Sequence, residues 1–400
     1  MSLIYTVVFL GFFAGGLVAP VFSPLFLHPI HGGMLPATTS MATKALLLGM
    51  ALAASRLGEC FGSPILGQLS DHYGRNRMLA IAMGVNVVGY LTLAQAIIIR
   101  NIWLFIGGQF LIGFVGVLLV LVQSEIAHHS TGSEKTRRFG LVYMSSSLAY
   151  VFAPALGGHL SDVALYDWAA YATPFFVSAA VCAATMLLIV WRFPHSSPDM
   201  PGGSLSVTKG LAEIGEAFQL APFRALLLVN LVLYLGIDFV FQFNPVYFVQ
   251  TWNFTSSEVG WFVSYTSLSM VVAQWLLIKP VGRHWAPRAV TTASAIMLGL
   301  LLIVLIAPER WSWLYVILPA IGVVMALATS NMSALLSNTA PADAQGRMLG
   351  VSHSSRVLGS AVLCFGGGIL AGYSAKAPIL AGALASFLAA GLLVMRRRSD

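Results

Sequence analysis

About twelve stretches of roughly twenty apolar residues recur along this chain, near 4–26, 46–69, 78–98, 102–123, 139–160, 171–192, 224–249, 255–279, 289–307, 312–336, 348–373 and 377–395. No water inside a bilayer satisfies backbone N–H and C=O groups, so segments of this length cross as helices or as parts of a closed barrel. Barrel strands alternate apolar and polar residues over about ten positions, and these runs do not alternate. The spacing therefore predicts an all-α polytopic membrane protein with twelve transmembrane helices. Composition agrees: 9% of residues are charged and the mean hydropathy is +0.84, against about 25% charged residues in soluble domains. The first run is too long for a signal peptide and has no basic n-region, so it is expected to be a retained span.

The 21 lysines and arginines bring the net charge to +7. In a soluble chain that balance would point to nucleic acid, but here the basic residues stand between apolar runs and read as topology signals, with no nucleic-acid partner expected. With the N-terminus in the cytoplasm, fifteen fall in inner loops or the tail, Arg75, Arg77, Lys135, Arg192, Arg283 and Arg397 among them. The outer loops hold four, Lys44, Arg100, Arg310 and Lys376. Cytoplasmic loops carry the excess of Lys and Arg, so both termini are expected on the cytoplasmic side of the cell's inner membrane. Cys60, Cys182 and Cys364 lie in apolar runs without CxxC spacing, and His28 and His31 have no acidic or thiol companion nearby. No disulfide, metal or cofactor is expected from them.

The longest inner loop opens PHSSPDMPGGS, a linker composition, after six runs and before six more. This divides the chain into a six-helix half over 1–192, a cytoplasmic linker over 193–223 and a second six-helix half over 224–400. The halves can be compared directly, because duplicated transporters carry weak internal symmetry. At an offset of 210, Gly140 falls on Gly350, Ser145 on Ser355, Gly157 on Gly367 and Gly158 on Gly368. Arg356 takes the place of Ser146, so that charge belongs to one half only.

The stretch GQLSDHYGRNR, Gly67 to Arg77, resembles the loop between the second and third helices of the major facilitator superfamily. Its Gly67, Asp71, Gly74, Arg75 and Arg77 carry the match, at the cytoplasmic end of the second span. The resemblance implies a fold of two pseudo-symmetric six-helix halves and a conformational latch at this cluster. Independently, glycines allow close backbone approach, and Arg75 and Arg77 could pair with Glu125 or Glu134. In the fifth span Gly140, Ala149, Ala153, Pro154 and Gly157, followed by Gly158, resemble the superfamily's antiporter motif, with two of its glycines replaced by alanine. Small residues and a proline also serve plain helix packing and bending, and that alternative stays open. Together the features look most like the drug/proton antiporter branch that includes the tetracycline efflux proteins. Gln109 stands where many of that branch carry an arginine, and the third span offers Asn86 but no acid, so the branch's proton-coupling residues have no counterparts here.

Coupling would then rest on other polar groups in the spans. A charge at mid-span costs about 2.5–3.5 kcal/mol, so such residues face a cavity or a partner. Four stand out: Arg56, Glu59, Asp238 and Arg356. Arg56 and Glu59 are one turn apart, with Ser63 and Gly67 continuing the stripe of Glu59, and form either a structural ion pair or part of the path. Asp238 shares a helical stripe with Asn230 and Gln242, and a carboxylate in a low dielectric is suited to take up and release protons near neutral pH. Asp238 is the first proton-coupling candidate and Glu59 the second. Arg56, Gln109, Gln242, Asn230, Arg356 and His353 are the candidates for contact with substrate. Arg356 lies about 12 Å from the inner end of its run, so it either snorkels or meets an anionic or zwitterionic substrate.

No GxxxxGK[ST], HExxH or GxSxG occurs in the chain, which argues against ATP-driven transport and against a membrane-embedded enzyme. The expected activity is secondary transport by rocking of the two halves, favouring proton-coupled export of a small organic molecule such as a drug, an anionic metabolite or a siderophore. Import of a nutrient by proton symport is the alternative. The expected partners are the substrate, protons and the lipid bilayer, with the chain acting as a monomer.

Overall fold

The computed structural model describes residues 2–29, 33–116, 132–162, 168–192, 221–339 and 345–396, together with Leu118 and Val122. Among the described residues every regular element is helical. We label α1 (Ser2–Val18), α2 (Phe22–Leu27), α3 (Met41–Tyr73), α4 (Arg75–Ile98), α5 (Ile102–Phe114), α6 (Gly132–Leu160) and α7 (Thr173–Arg192). They are followed by α8 (Ala221–Trp252), α9 (Ser256–Leu276), α10 (Ile278–His284), α11 (Pro287–Leu305), α12 (Leu314–Thr339), α13 (Gln345–Tyr373) and α14 (Ala377–Arg396).

Ten described segments are long and apolar enough to cross a membrane, and α9 with α10, bent by 49° at their junction, makes an eleventh. The fourth expected span is described mainly over α5; of the expected linker over 193–223, residues 193–220 lie outside the described residues and 221–223 begin α8. Local chemistry sets the breaks. Pro20 sits in a short 3₁₀ turn over Ala19–Val21, between α1 and α2. Ser40 caps α3 by accepting the Thr43 N–H at 3.2 Å, and Asn101 caps α5 through the N–H groups of Trp103 and Leu104. Gly74 parts α3 from α4 with φ of 89°, which a residue without Cβ adopts without strain.

By their internal contacts the residues fall into two compact units, Met1–Val207 with Asn253–Ser264, and Thr208–Trp252 with Tyr265–Asp400. In the first unit α1 packs on α6 and α7, α4 on α5 and α7, and α3 on α5. The α3–α5 seam depends on small residues. A methyl at Gly58 or Gly62 would overlap the backbone of Phe110 or Phe114, and one at Gly113 would overlap Ser55. Backbones thus approach through a GxxxG spacing, as helices do in lipid, where apolar surface alone does not drive them together. The rings of Phe22, Phe26, Phe105 and Phe175 meet at 5.6–6.2 Å and fill one end of this core. Ser178 donates from its buried hydroxyl to the Ala14 carbonyl at 2.8 Å, tying α7 to α1.

In the second unit α8 packs on α13 and α14, and α11 on α12 and α14. These pairings repeat those of α1 with α6 and α7, and of α4 with α5 and α7. The correspondence reaches single residues. Gly157 of α6 lies against Leu17 of α1, and its offset partner Gly367 of α13 lies against the ring of Phe243 on α8, each pressing on the first long helix of its own unit.

Candidate functional site

In the second unit α8 and α13 run in register as a ladder of polar rungs. Asn230, 2% exposed, donates from Nδ2 to the Ser352 hydroxyl at 2.9 Å. One turn further on both helices, the Arg356 guanidinium carbon lies 4.6 Å from the centre of the Tyr234 ring. Carried one and two turns further, the same separation of 122 sets Asp238 about level with Ser360 on a third rung and Gln242 with Cys364 on a fourth, each rung rising about 6 Å along the helix, and near the far end Gln250 donates to the Ala371 carbonyl at a separation of 121. Gly359 keeps the helices close, since a Cβ there would come within 2.5 Å of Leu231 Cδ1.

The electrostatics of the ladder are uneven. Arg356 is half-buried, and no described carboxylate lies within 4.0 Å of it. A guanidinium over an aromatic face gains about 0.5–2 kcal/mol, which offsets only part of the cost of a charge at span depth. The buried hydroxyls of Ser355 and Ser360 have no hydrogen-bond partner among the described residues, an arrangement that ordinarily costs stability. Asp238, Gln242 and His353 are each half-buried. The structure thus brings five of the sequence candidates onto one helix pair: Asn230, Asp238, Gln242, His353 and Arg356. Sequence reasoning noted Ser360 only as a neighbour of Arg356 within one turn and passed over Tyr234 and Ser355 as site residues. The four-residue step from Asn230 through Tyr234 to Asp238 was the available signal.

In the first unit Arg56 and Glu59 form an ion pair, Nη1 to Oε2 at 3.0 Å, with side chains 35% and 14% exposed. Tyr150 of α6 is in electrostatic contact with both charges. Gln109 lies on α5, 4% exposed. Gly58 stands between the charged pair in sequence but on the face that meets α5, so α3 packs with one face and presents its charges on another.

The two motifs differ in what is described. Gly67 belongs to the last turns of α3, where its carbonyl accepts the Ser70 hydroxyl at 2.6 Å. Arg75 is buried at 5% exposure, whereas Arg77 is exposed and borders an apolar groove of about 510 Å³ lined by α3, α4 and α5. The side chain of Asp71 and the carboxylates Glu125 and Glu134 lie outside the described residues. In the antiporter-like motif Ala149 and Ala153 are buried, Gly140 has open space about it, and Gly157 and Gly158 lie against Leu17 and Ser256. Pro154 cannot donate a backbone hydrogen bond, and the next N–H, that of Ala155, donates to the Ser264 hydroxyl at 2.9 Å. Opposite it, Gly260 lets α9 approach the Pro154 carbonyl. Among the described residues no three His, Cys, Asp or Glu side chains cluster as a metal site would require.

Comparison with known proteins gives the same assignment. Residues 4–363 match the family profile of the Major Facilitator Superfamily, and residues 226–400 match it again. The class E tetracycline resistance protein of Escherichia coli is 21% identical over 342 residues, covering 84% of this chain and 82% of that protein. The class B protein of the same organism is 24% identical over 213 residues, 53% of this chain, so that match spans about half, 49%, of that relative. Among solved structures, a D-xylose-proton symporter superposes with a TM-score of 0.77 over 97% of this chain and 96% of that one, at 14% identity. That likeness establishes the fold. The helical architecture with its membrane-length spans and the profile match across most of the chain make it a multi-pass membrane protein and a member of the Major Facilitator Superfamily.

Proposed function

We propose that the protein exports a small organic molecule in exchange for protons, with Asp238 as the proton-carrying group. The carrying observation is the α8–α13 ladder, which sets a half-buried carboxylate one rung from a half-buried guanidinium among neutral polar residues such as Asn230, Ser352 and Ser360. A carboxylate in such surroundings changes charge readily, and each change alters what the neighbouring rung attracts. Similarity to tetracycline resistance proteins over four-fifths of the chain supports export as the direction. Residues 193–223 then serve as the linker between two six-helix halves, the Gly67–Arg77 cluster as the latch, and both termini face the cytoplasm of the inner membrane. The chain acts as a monomer.

Purified protein in proteoliposomes, given an imposed pH gradient and a compound panel, tests this. Substrate should accumulate in the more acidic compartment, against its own gradient. Asp238→Asn should abolish gradient-driven accumulation while leaving substrate equilibration measurable. Unaltered accumulation in that variant would remove Asp238 from the role, and accumulation on the alkaline side would replace export by symport.

A further inference from the structure

The second and third rungs of the ladder carry opposite charges, Arg356 on α13 and Asp238 on α8. Their places along the helices differ by one turn, about 6 Å. The Arg356 guanidinium rests on a neutral ring, and among the described residues no carboxylate pairs with it. Ser355, about 100° round the helix from Arg356, and Ser360, one turn further along the same stripe of α13, have buried hydroxyls without a partner among the described residues. Such hydroxyls at 6% and 2% exposure are donors waiting for an acceptor.

We propose that these two rungs form the substrate site and that the substrate is amphoteric. Arg356 takes its anionic group, a carboxylate in the simplest case, in place of the Tyr234 ring, and Asp238 takes an amine about one helical turn away.

The inference rests on the exchange reading above and follows from the sign of the coupling. A simple anion at Arg356 would favour the protonated form of Asp238, and by reciprocity the proton would favour the anion, so the two would travel together. Exchange needs competition. An amine supplies it, because the amine and the proton cannot both occupy the same carboxylate. The guanidinium supplies planar, bidentate recognition of the acid end, and Ser360 offers a neutral donor one turn along the same stripe. The helices packed most closely on α8 carry few other titratable groups. α13 has Arg347, His353, Arg356, Cys364 and Tyr373, α12 has Tyr315, and α14 has Arg396 at its end, while Arg224, Tyr234 and Tyr247 share α8 with Asp238. Of these, Tyr234, His353, Arg356 and Cys364 lie within two turns of the third rung by register.

Isothermal titration of the purified full chain tests this with four probe classes: 4-(aminomethyl)benzoate and 6-aminohexanoate, the monoanions benzoate and hexanoate, the monocations benzylamine and hexylamine, and α-amino acids, whose charges sit on one carbon. Running each in two buffers of different ionisation enthalpy counts the protons exchanged. At least one amphoteric probe should bind roughly 10-fold or more tighter than its single-charge counterparts and release protons. Arg356→Gln should reduce it to the affinity of the matched amine. Asp238→Asn should reduce it to that of the matched acid and abolish proton release. Arg356→Lys and Asp238→Glu, which keep the charges, should recover part of each loss and guard against misfolding. Equal affinity for acid and amphoteric probes with proton uptake would overturn the amphoteric substrate and the exchange reading together, leaving an anion site. An amphoteric preference unchanged in Arg356→Gln, or no binding by any class, would overturn the site while exchange in proteoliposomes stands or falls by itself.

Discussion

Each unit of the molecule holds one arginine within a span, and the two are settled differently. Arg56 closes on Glu59 of its own helix at 3.0 Å, so the net charge inserted with that helix is close to zero. Arg356 lies over the Tyr234 ring on a different helix, with no described carboxylate within ion-pairing distance. The first arrangement forms as soon as α3 folds, because residues three apart share a face. The second requires α8 and α13 to dock in register. A charge compensated within its own helix adds little field to its surroundings, whereas one held against a quadrupole keeps most of its attraction for an anion. The difference separates a charge that serves the fold from one available for exchange with a ligand.

The strongest test of that contrast removes each arginine in turn. Arg356→Gln is expected to cost about 10- to 100-fold in affinity for an acid-bearing substrate, the range for one charge-assisted contact, and to leave thermal unfolding nearly unchanged. Arg56→Gln is expected to lower the unfolding temperature in detergent and to change substrate affinity less than threefold. Substrate titration and a melting curve on each variant decide the matter, and an interchange of the two outcomes would reverse the roles.

Glu59 offers a smaller effect with a clear internal control. Glu59→Gln strips Arg56 of its partner inside a span. A fully buried pair broken in this way loses about 3–5 kcal/mol, but side chains 35% and 14% exposed retain some polar contact, so about 1–2 kcal/mol is expected. The double variant Arg56→Gln with Glu59→Gln should recover at least half of that loss. Equal unfolding temperatures for the single and double variants would show that the pair is not the compensating unit described here.

Much of this contrast was legible in the sequence, and its limits are physical. Run length placed the spans, since the bilayer fixes how many residues must be apolar, and every described long helix overlaps an expected run. Arg56 and Glu59 could be paired from spacing alone because their contact is local. The GxxxG seam of Gly58 and Gly62 also lay in view, but only the facing backbone of Phe110 to Gly113 identifies which helix it accepts. The Arg356–Tyr234 contact spans 122 positions, and nothing in either helix specifies the register that brings them together. Polar residues at Asn230, Asp238 and Gln242 marked the stripe, whereas Tyr234, the member that holds the arginine, reads in sequence as one more aromatic in an apolar run.

The smallest effect is also the most discriminating, because two of its readouts should move in opposite directions. Tyr234→Leu removes the ring under Arg356 and is expected to lower stability by about 0.5–1 kcal/mol, the value of a partly exposed cation–π contact, while Tyr234→Phe, which keeps the ring face, should lose less than half as much. If the ring and the substrate's anionic group compete for one guanidinium, loss of the ring destabilises the unliganded state more than the liganded one. Tyr234→Leu should therefore bind the acid-bearing probe up to about 5-fold more tightly than the parent, by the same free energy that it loses in the unfolding experiment. A structural packing role for Tyr234 predicts weaker binding alongside weaker folding. A variant that is less stable and yet binds more tightly is the outcome specific to an arginine that leaves one partner for another.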